Sequence, residues 1–168
     1  MKSKQIAESG IFIALTVGIL YSTSILPIST LSILTVASCL IPISLVRTTS
    51  IKYSFLIYIC GSILSLFLVP INISLSYILF FGIYGLIKYY IEKLKKYILE
   101  IFLKLCVFNI LISIIYFALK AFIDINLPQF PMYLIIILSQ IIFLIYDYAI
   151  TLVISIYIDK LHSLKPKL

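Results

Sequence analysis

This sequence contains few charged residues. They make up 11% of its 168 residues, whereas a soluble domain carries roughly 25%. Hydrophobic residues account for 63%, and the mean hydropathy is +1.23. A chain with so few polar groups cannot cover all its sides with water-facing surface. The composition therefore predicts a protein whose solvent is mostly lipid, with no room for a soluble domain.

Residues that bind metals or catalyse reactions are also scarce. The three cysteines lie in separate apolar runs, and the single histidine, His162, lies in the C-terminal tail. No short metal-ligand spacing results, which argues against a metal site or a disulfide framework. There is no glycine-rich phosphate loop, no histidine within an apolar run and no pair of carboxylates on one membrane face. The sequence therefore predicts no cofactor, no metal and no enzymatic activity.

The apolar runs predict an all-α integral membrane protein, a bundle of six transmembrane helices that forms a single domain. A helix needs about 20 apolar residues to cross a bilayer. The second span is short and contains Pro42, so a tilted, a kinked and a partly re-entrant segment all remain open for it. The predicted spans cover about 6–26, 31–46, 51–69, 74–90, 97–122 and 132–158.

Basic residues occur in every second connection between spans. They precede span one and follow spans two, four and six, whereas the turns near Pro27, Pro70 and Pro128 contain none. Only Lys120 lies near that other side. By the positive-inside rule, this alternation predicts a multi-pass protein of the cell membrane with both termini in the cytoplasm. It also accounts for the net charge of +7 without a nucleic-acid partner.

The basic segment 88–96 allows two interpretations. Its apolar and aromatic positions favour a continuation of span four into the lipid headgroups, where the lysines would meet anionic lipid. A solvated basic loop that fixes the topology is the alternative.

Strongly polar residues inside spans are costly and are therefore candidates for a site. One group lies toward the outer ends of spans four, five and six, at spacings that share a helical face. Aromatic hydroxyls, an amide and an amine are the groups that orient a small molecule in a pocket. Tyrosines also anchor membrane interfaces, which is the structural alternative. The predicted substrate-binding residues are Tyr77, Tyr116, Lys120, Tyr133 and Gln140.

A second polar group lies toward the cytoplasmic end. Asp147 of span six is at a depth near that of Lys104 in span five, which predicts a buried pair between the two spans. Asn109 is expected to complete its hydrogen bonds. A role for Asp147 in proton or ion coupling is the alternative, and Lys104 is also four residues from Glu100.

Span one carries Gly10, Ala14 and Gly18 at intervals of four residues. Small residues at this spacing let another helix approach closely, either from the same chain or from another protein. This stripe, the six spans, the chain length and the lysine-rich start before residues 7–15 together resemble a substrate-binding S component of an energy-coupling factor (ECF) transporter. In that family a small-residue stripe in the first helix docks on a transmembrane coupling subunit.

The resemblance implies a subunit that captures a vitamin-like micronutrient and works with a coupling subunit and two cytoplasmic ATPases. No residue pattern names the substrate. Two other functions stay open: a non-transporting scaffold or accessory subunit of a larger complex, and a membrane-embedded enzyme acting on lipid. The missing polar catalytic cluster argues against the enzyme.

Overall fold

The computed structural model describes residues 2–25, 29–48, 50–122 and 132–164, and the side chains of all of these except 2, 116, 118–122, 132–135 and 161–164. Its described part contains helices and no strand. Each of the six helices is long and apolar enough to cross a membrane. The helices are α1 (Lys2–Ser22), α2 (Thr30–Thr48), α3 (Ile51–Leu68), α4 (Ile71–Glu92), α5 (Tyr97–Phe122) and α6 (Met132–Leu164).

The helix bounds differ from the predicted spans by up to six residues, with the largest difference at the end of α6. The turn at Pro70 is present: Val69 ends α3 in an extended conformation, and the Pro70 carbonyl accepts the first hydrogen bonds of α4. The turns near Pro27 and Pro128 lie outside the described residues. Helix α2 runs without a break through Pro42, so it is a complete 19-residue helix and has no re-entrant shape.

Helix α4 contains a π-helical segment, Tyr77–Gly82, between two α-helical stretches. A π-segment widens the helix, frees backbone carbonyls from the usual pattern and often occurs at functional sites. Here the Tyr58 hydroxyl of α3 donates a 2.9 Å hydrogen bond to the Ile78 carbonyl. Its ring lies where a side chain on Gly82 would be, 2.8 Å from an ideal Cβ. The Tyr58 side chain therefore packs against the π-helical segment, in the space that a side chain at position 82 would occupy.

Polar contacts show which helix ends lie together. Gln5 Nε2 near the start of α1 donates to the Thr48 carbonyl at the end of α2, at 3.0 Å. Arg47 contacts both Glu8 of α1 and Tyr157 of α6. The starts of α1, α3 and α5 and the ends of α2, α4 and α6 thus meet at one end of the bundle, called the basic end below.

The interior is built around aromatic side chains of α4, α5 and α6. Phe108 and Phe143 stack with ring centroids 4.3 Å apart, and Tyr84 meets Phe143 edge to face at 5.3 Å. Tyr146 donates a 2.9 Å hydrogen bond from its hydroxyl to Ser38 of α2. Large apolar side chains are exposed along α1, α3, α5 and α6 and at a few positions of α2 and α4, which suits a lipid environment.

Candidate functional site: a buried ion cluster and two cavities

Asp147 of α6 lies at the centre of a buried ion cluster. Its Oδ1 accepts hydrogen bonds from the Tyr84 hydroxyl, at 2.7 Å, and from Lys88 Nζ. Its Oδ2 lies 2.9 Å from Lys104 Nζ. Lys88 is 1% exposed and also donates to Thr151 Oγ1, at 2.7 Å. One carboxylate thereby joins α4, α5 and α6.

Two glutamates complete this ion cluster. Glu92 lies 3.0 Å from Lys88 Nζ and 3.1 Å from Lys104 Nζ, and Glu100 lies 2.9 Å from Lys104 Nζ. Two lysines therefore face three carboxylates, which leaves a formal charge of −1. Buried charges are tolerated only when paired and hydrogen-bonded, and here each ammonium has at least two carboxylate partners.

The predicted contact between Lys104 and Asp147 is present, but the predicted place of Asn109 is wrong. Asn109 donates to the Leu105 carbonyl and accepts a 2.7 Å hydrogen bond from Gln140 Nε2. Its position, five residues beyond Lys104, is about 140° around the helix axis. At that angle the Asn109 side chain meets Gln140 of α6 and not Asp147. Asn109 and Gln140 thus form a separate polar pair between α5 and α6.

Lys88 and Glu92 are the members of the ion cluster that sequence reasoning missed. The two interpretations of segment 88–96 place the Lys88 ammonium among lipid headgroups or in solvent, whereas the structure buries it inside the bundle. In the structure α4 continues to Glu92, and only the residues after it lie in the connection. A signal was present in the spacing of four residues from Tyr84 to Lys88 to Glu92, because it places all three on one helical face.

The predicted substrate-binding residues do not form one site in the described structure. Tyr77 is fully buried, and its hydroxyl has no hydrogen-bond partner among the described residues. Its hydroxyl lies 3.6 Å from an ideal Cβ on Gly61 of α3, and Tyr77 does not line the cavity between α2, α4, α5 and α6 described next. Gln140 bonds Asn109. The side chains of Tyr116, Lys120 and Tyr133 lie outside the described residues.

A partly open cavity of about 280 Å³ does lie between α2, α4, α5 and α6, in the half of the bundle opposite the basic end. Phe80, Phe108 and Phe143 form its aromatic wall. The polar groups of its described lining are hydroxyls, from Thr35, Ser76, Ser139 and Tyr146, and no charged residue is among the described residues that line it. The arrangement suits a small, uncharged and largely apolar molecule.

No family model, no curated protein and no solved structure matches this chain.

The small-residue stripe of α1 faces away from the bundle. Gly10, Ala14 and Gly18 are all exposed, and nothing lies within 4 Å of a Cβ placed on either glycine. The interior side of α1 uses other residues, including Ser9 and Thr16, which are buried. The described helices of the same chain therefore leave the stripe uncovered.

Proposed function

We propose that this chain is a membrane-embedded substrate-binding subunit for the uptake of a small, vitamin-like micronutrient, working with separate coupling and ATPase subunits. The supporting observation is the 280 Å³ cavity on the side opposite the basic end. With the basic end in the cytoplasm, this cavity lies in the outer half of the membrane. Its volume is close to the lower limit of ligand pockets, about 300 Å³.

The cavity lining indicates the kind of substrate. Rings from two helices stack beside the cavity, and the polar groups among the described residues of its lining are hydroxyls rather than charges. A charged ligand would lose its hydration there without gaining an ion pair. The expected substrate is therefore neutral, with an aromatic or otherwise flat apolar portion.

The exposed face of α1 supports the second part of the proposal. A surface of Gly10, Ala14 and Gly18 lets a partner helix pack at short distance, and we assign this face to the transmembrane coupling subunit. The chain has no nucleotide-binding motif, so the ATPases would be separate proteins.

A scaffold that assembles a larger complex is the second candidate. The observation that favours it is the packing of Tyr77 and Gln140, because both are engaged inside the bundle instead of lining the cavity. A scaffold would use the α1 face in the same way but would carry no small molecule.

Ligand extraction tests the proposal. The full chain is purified from native membranes, and bound small molecules are identified by mass spectrometry. We expect a stoichiometric neutral ligand, which Ser139→Trp should displace because the indole fills the cavity. Leu138→Trp is the matched control, since Leu138 is 60% exposed to the lipid side. A chain that carries no ligand, or two variants that behave alike, would overturn the uptake function.

Co-purification tests the coupling partner. Coupling and ATPase subunits encoded in the same genome should copurify with the wild-type chain, and much less with a Gly10→Leu/Gly18→Leu variant that retains its ligand. Val36→Leu, at an exposed position of α2, serves as the control. Copurification of unrelated proteins with a ligand-free chain would favour the scaffold.

A further inference from the structure

A larger cavity of about 630 Å³ lies at the basic end, between α2, α3, α4 and α6. The proposed uptake function does not use it. At its base, α2 and α4 touch: an ideal Cβ on Gly85 would lie 3.0 Å from Pro42 Cδ. Beyond this contact, the last turns of α2 and α4 form opposite walls, and the start of α3 closes the side.

Most of this cavity is apolar, but its rim carries hydrogen-bond donors. Lys52 and Ser50 at the start of α3 and Tyr89 of α4 all line it. Lys52 is exposed, and the described structure gives its ammonium no ion pair. The Ser50 side chain makes no capping hydrogen bond to α3. An ammonium and two hydroxyls thus border one opening.

Two more charged residues, Lys88 and Glu92, line the cavity, but both form ion pairs within the ion cluster. Lys88 binds Asp147, and Glu92 accepts from both Lys88 and Lys104. The ion cluster as a whole keeps a formal charge of −1, but the three charged residues that line the cavity, Lys52, Lys88 and Glu92, sum to +1. Lys52 is the one of these three without an ion pair in the described structure, so it is the group at the opening that an anion would meet.

The place of the cavity indicates where this anion comes from. Its rim lies at the helix ends, where lipid headgroups meet a transmembrane bundle, and its walls are apolar below that level. Basic pockets between helices at this depth bind lipid headgroups. A soluble phosphate ester would gain the contact to Lys52 but nothing from the apolar walls.

We propose that this cavity binds the phosphodiester headgroup of a membrane phospholipid. Lys52 Nζ pairs with the phosphate, the hydroxyls of Ser50 and Tyr89 donate to its oxygens, and the glycerol and upper acyl carbons fill the apolar part. The lipid would then bridge the start of α3 and the end of α4. This site is independent of the substrate cavity at the opposite end.

Native mass spectrometry of the full chain, released from phosphatidylcholine nanodiscs containing phosphatidylglycerol, tests the proposal. We expect one retained phospholipid, with occupancy reduced about fivefold by Lys52→Gln and kept by Lys52→Arg. Lys93→Gln removes an exposed lysine at the same end that does not line the cavity, and it should retain the lipid. Val46→Trp, which fills the cavity, should exclude lipid without a change of charge.

Two outcomes would overturn the lipid site. Equal losses from Lys52→Gln and Lys93→Gln would mean diffuse attraction of lipid to the basic end. Displacement of the retained lipid by glycerol 3-phosphate or inorganic phosphate would mean a site for a soluble anion. If Val46→Trp does not fold, the comparison of the two lysine variants decides alone, since both positions are exposed.

Discussion

Lys104 Nζ lies 2.9 Å from Asp147 Oδ2, and this contact joins α5 to α6 inside the bundle. Lys104 is 5% exposed, so neither charge can be hydrated as it would be in water. Burying an ion pair is costly and is not by itself strong evidence for stability. We expect its main effect to be on specificity, because each charge has to find its partners when the helices pack.

Removing one lysine from the ion cluster should be strongly destabilising. Lys88→Met changes its formal charge from −1 to −2, because three carboxylates then share only Lys104. We expect a loss of about 3 kcal/mol or more in the free energy of unfolding, measured by denaturant titration in detergent micelles.

A second substitution checks that charge is the cause. Adding Asp147→Asn to Lys88→Met restores the formal charge of −1 and should recover at least about 1 kcal/mol in a double-mutant cycle. Lys93→Met, at an exposed position, should change stability by less than about 0.5 kcal/mol. Equal effects of Lys88→Met and Lys93→Met would contradict the buried cluster.

Tyr84 and Tyr77 are both fully buried but differ in what their hydroxyls do. Tyr84→Phe removes a 2.7 Å hydrogen bond to the Asp147 carboxylate and should cost about 1.5–3 kcal/mol, the usual range for a bond to a charged group. Tyr77→Phe removes a hydroxyl without a partner among the described residues, so it should be neutral or stabilising. Thermal unfolding of the two variants in one detergent makes the comparison. A larger loss from Tyr77→Phe would show that this hydroxyl is engaged.

Gly82 is the glycine with the least space for a side chain. Its Cβ would lie 2.8 Å from the Tyr58 ring and 3.0 Å from the Tyr77 carbonyl oxygen. Since the hydroxyl of Tyr58 is held by Ile78, the ring cannot move freely, and Gly82→Ala should destabilise by about 1–3 kcal/mol. Gly18→Ala has open space and should leave stability unchanged or raise it by up to about 1 kcal/mol. Similar unfolding curves for both variants would refute the close fit.

The hydrogen bond between Gln140 and Asn109 can be used to test whether Gln140 serves helix packing or substrate binding. If Gln140 serves helix packing, Gln140→Leu should cost about 0.6 kcal/mol and at most about 1.7 kcal/mol, the range for hydrogen bonds between membrane helices. The variant should also keep any extracted ligand. Adding Asn109→Leu should cost less than the two single changes summed, because they break the same bond. If Gln140→Leu lost the ligand while its stability stayed unchanged, Gln140 would instead be a substrate-binding residue.

The number and bounds of the helices could be predicted from the sequence because they depend on local properties. Apolar runs of sufficient length form helices in lipid whatever their neighbours are, and Pro70 ends one helix through its own geometry. The alternation of basic connections likewise depends only on order along the chain. The contacts of Arg47 bring the start of α1 and the last part of α6 to the same end of the bundle, whereas the cytoplasmic location of both termini stays a prediction.

The partners of the polar residues could be predicted only in part. Lys104 and Asp147 are at matching depths, and depth can be counted along a helix. The rotation of each helix about its axis cannot be counted, because it results from packing of the whole bundle. Because of the rotation of α5, Asn109 lies away from the ion cluster. Because of the rotation of α4, Lys88 and Glu92 are members of the cluster and Tyr77 is buried.

The sequence by itself thus determined a six-helix bundle for lipid, with its basic residues gathered at one end, since hydrophobicity and charge order act locally. Only the tertiary structure decided which side chains meet. The π-segment at Tyr77–Gly82, the five-residue ion cluster and the two cavities all depend on how neighbouring helices turn toward each other, and those contacts join residues far apart in the chain.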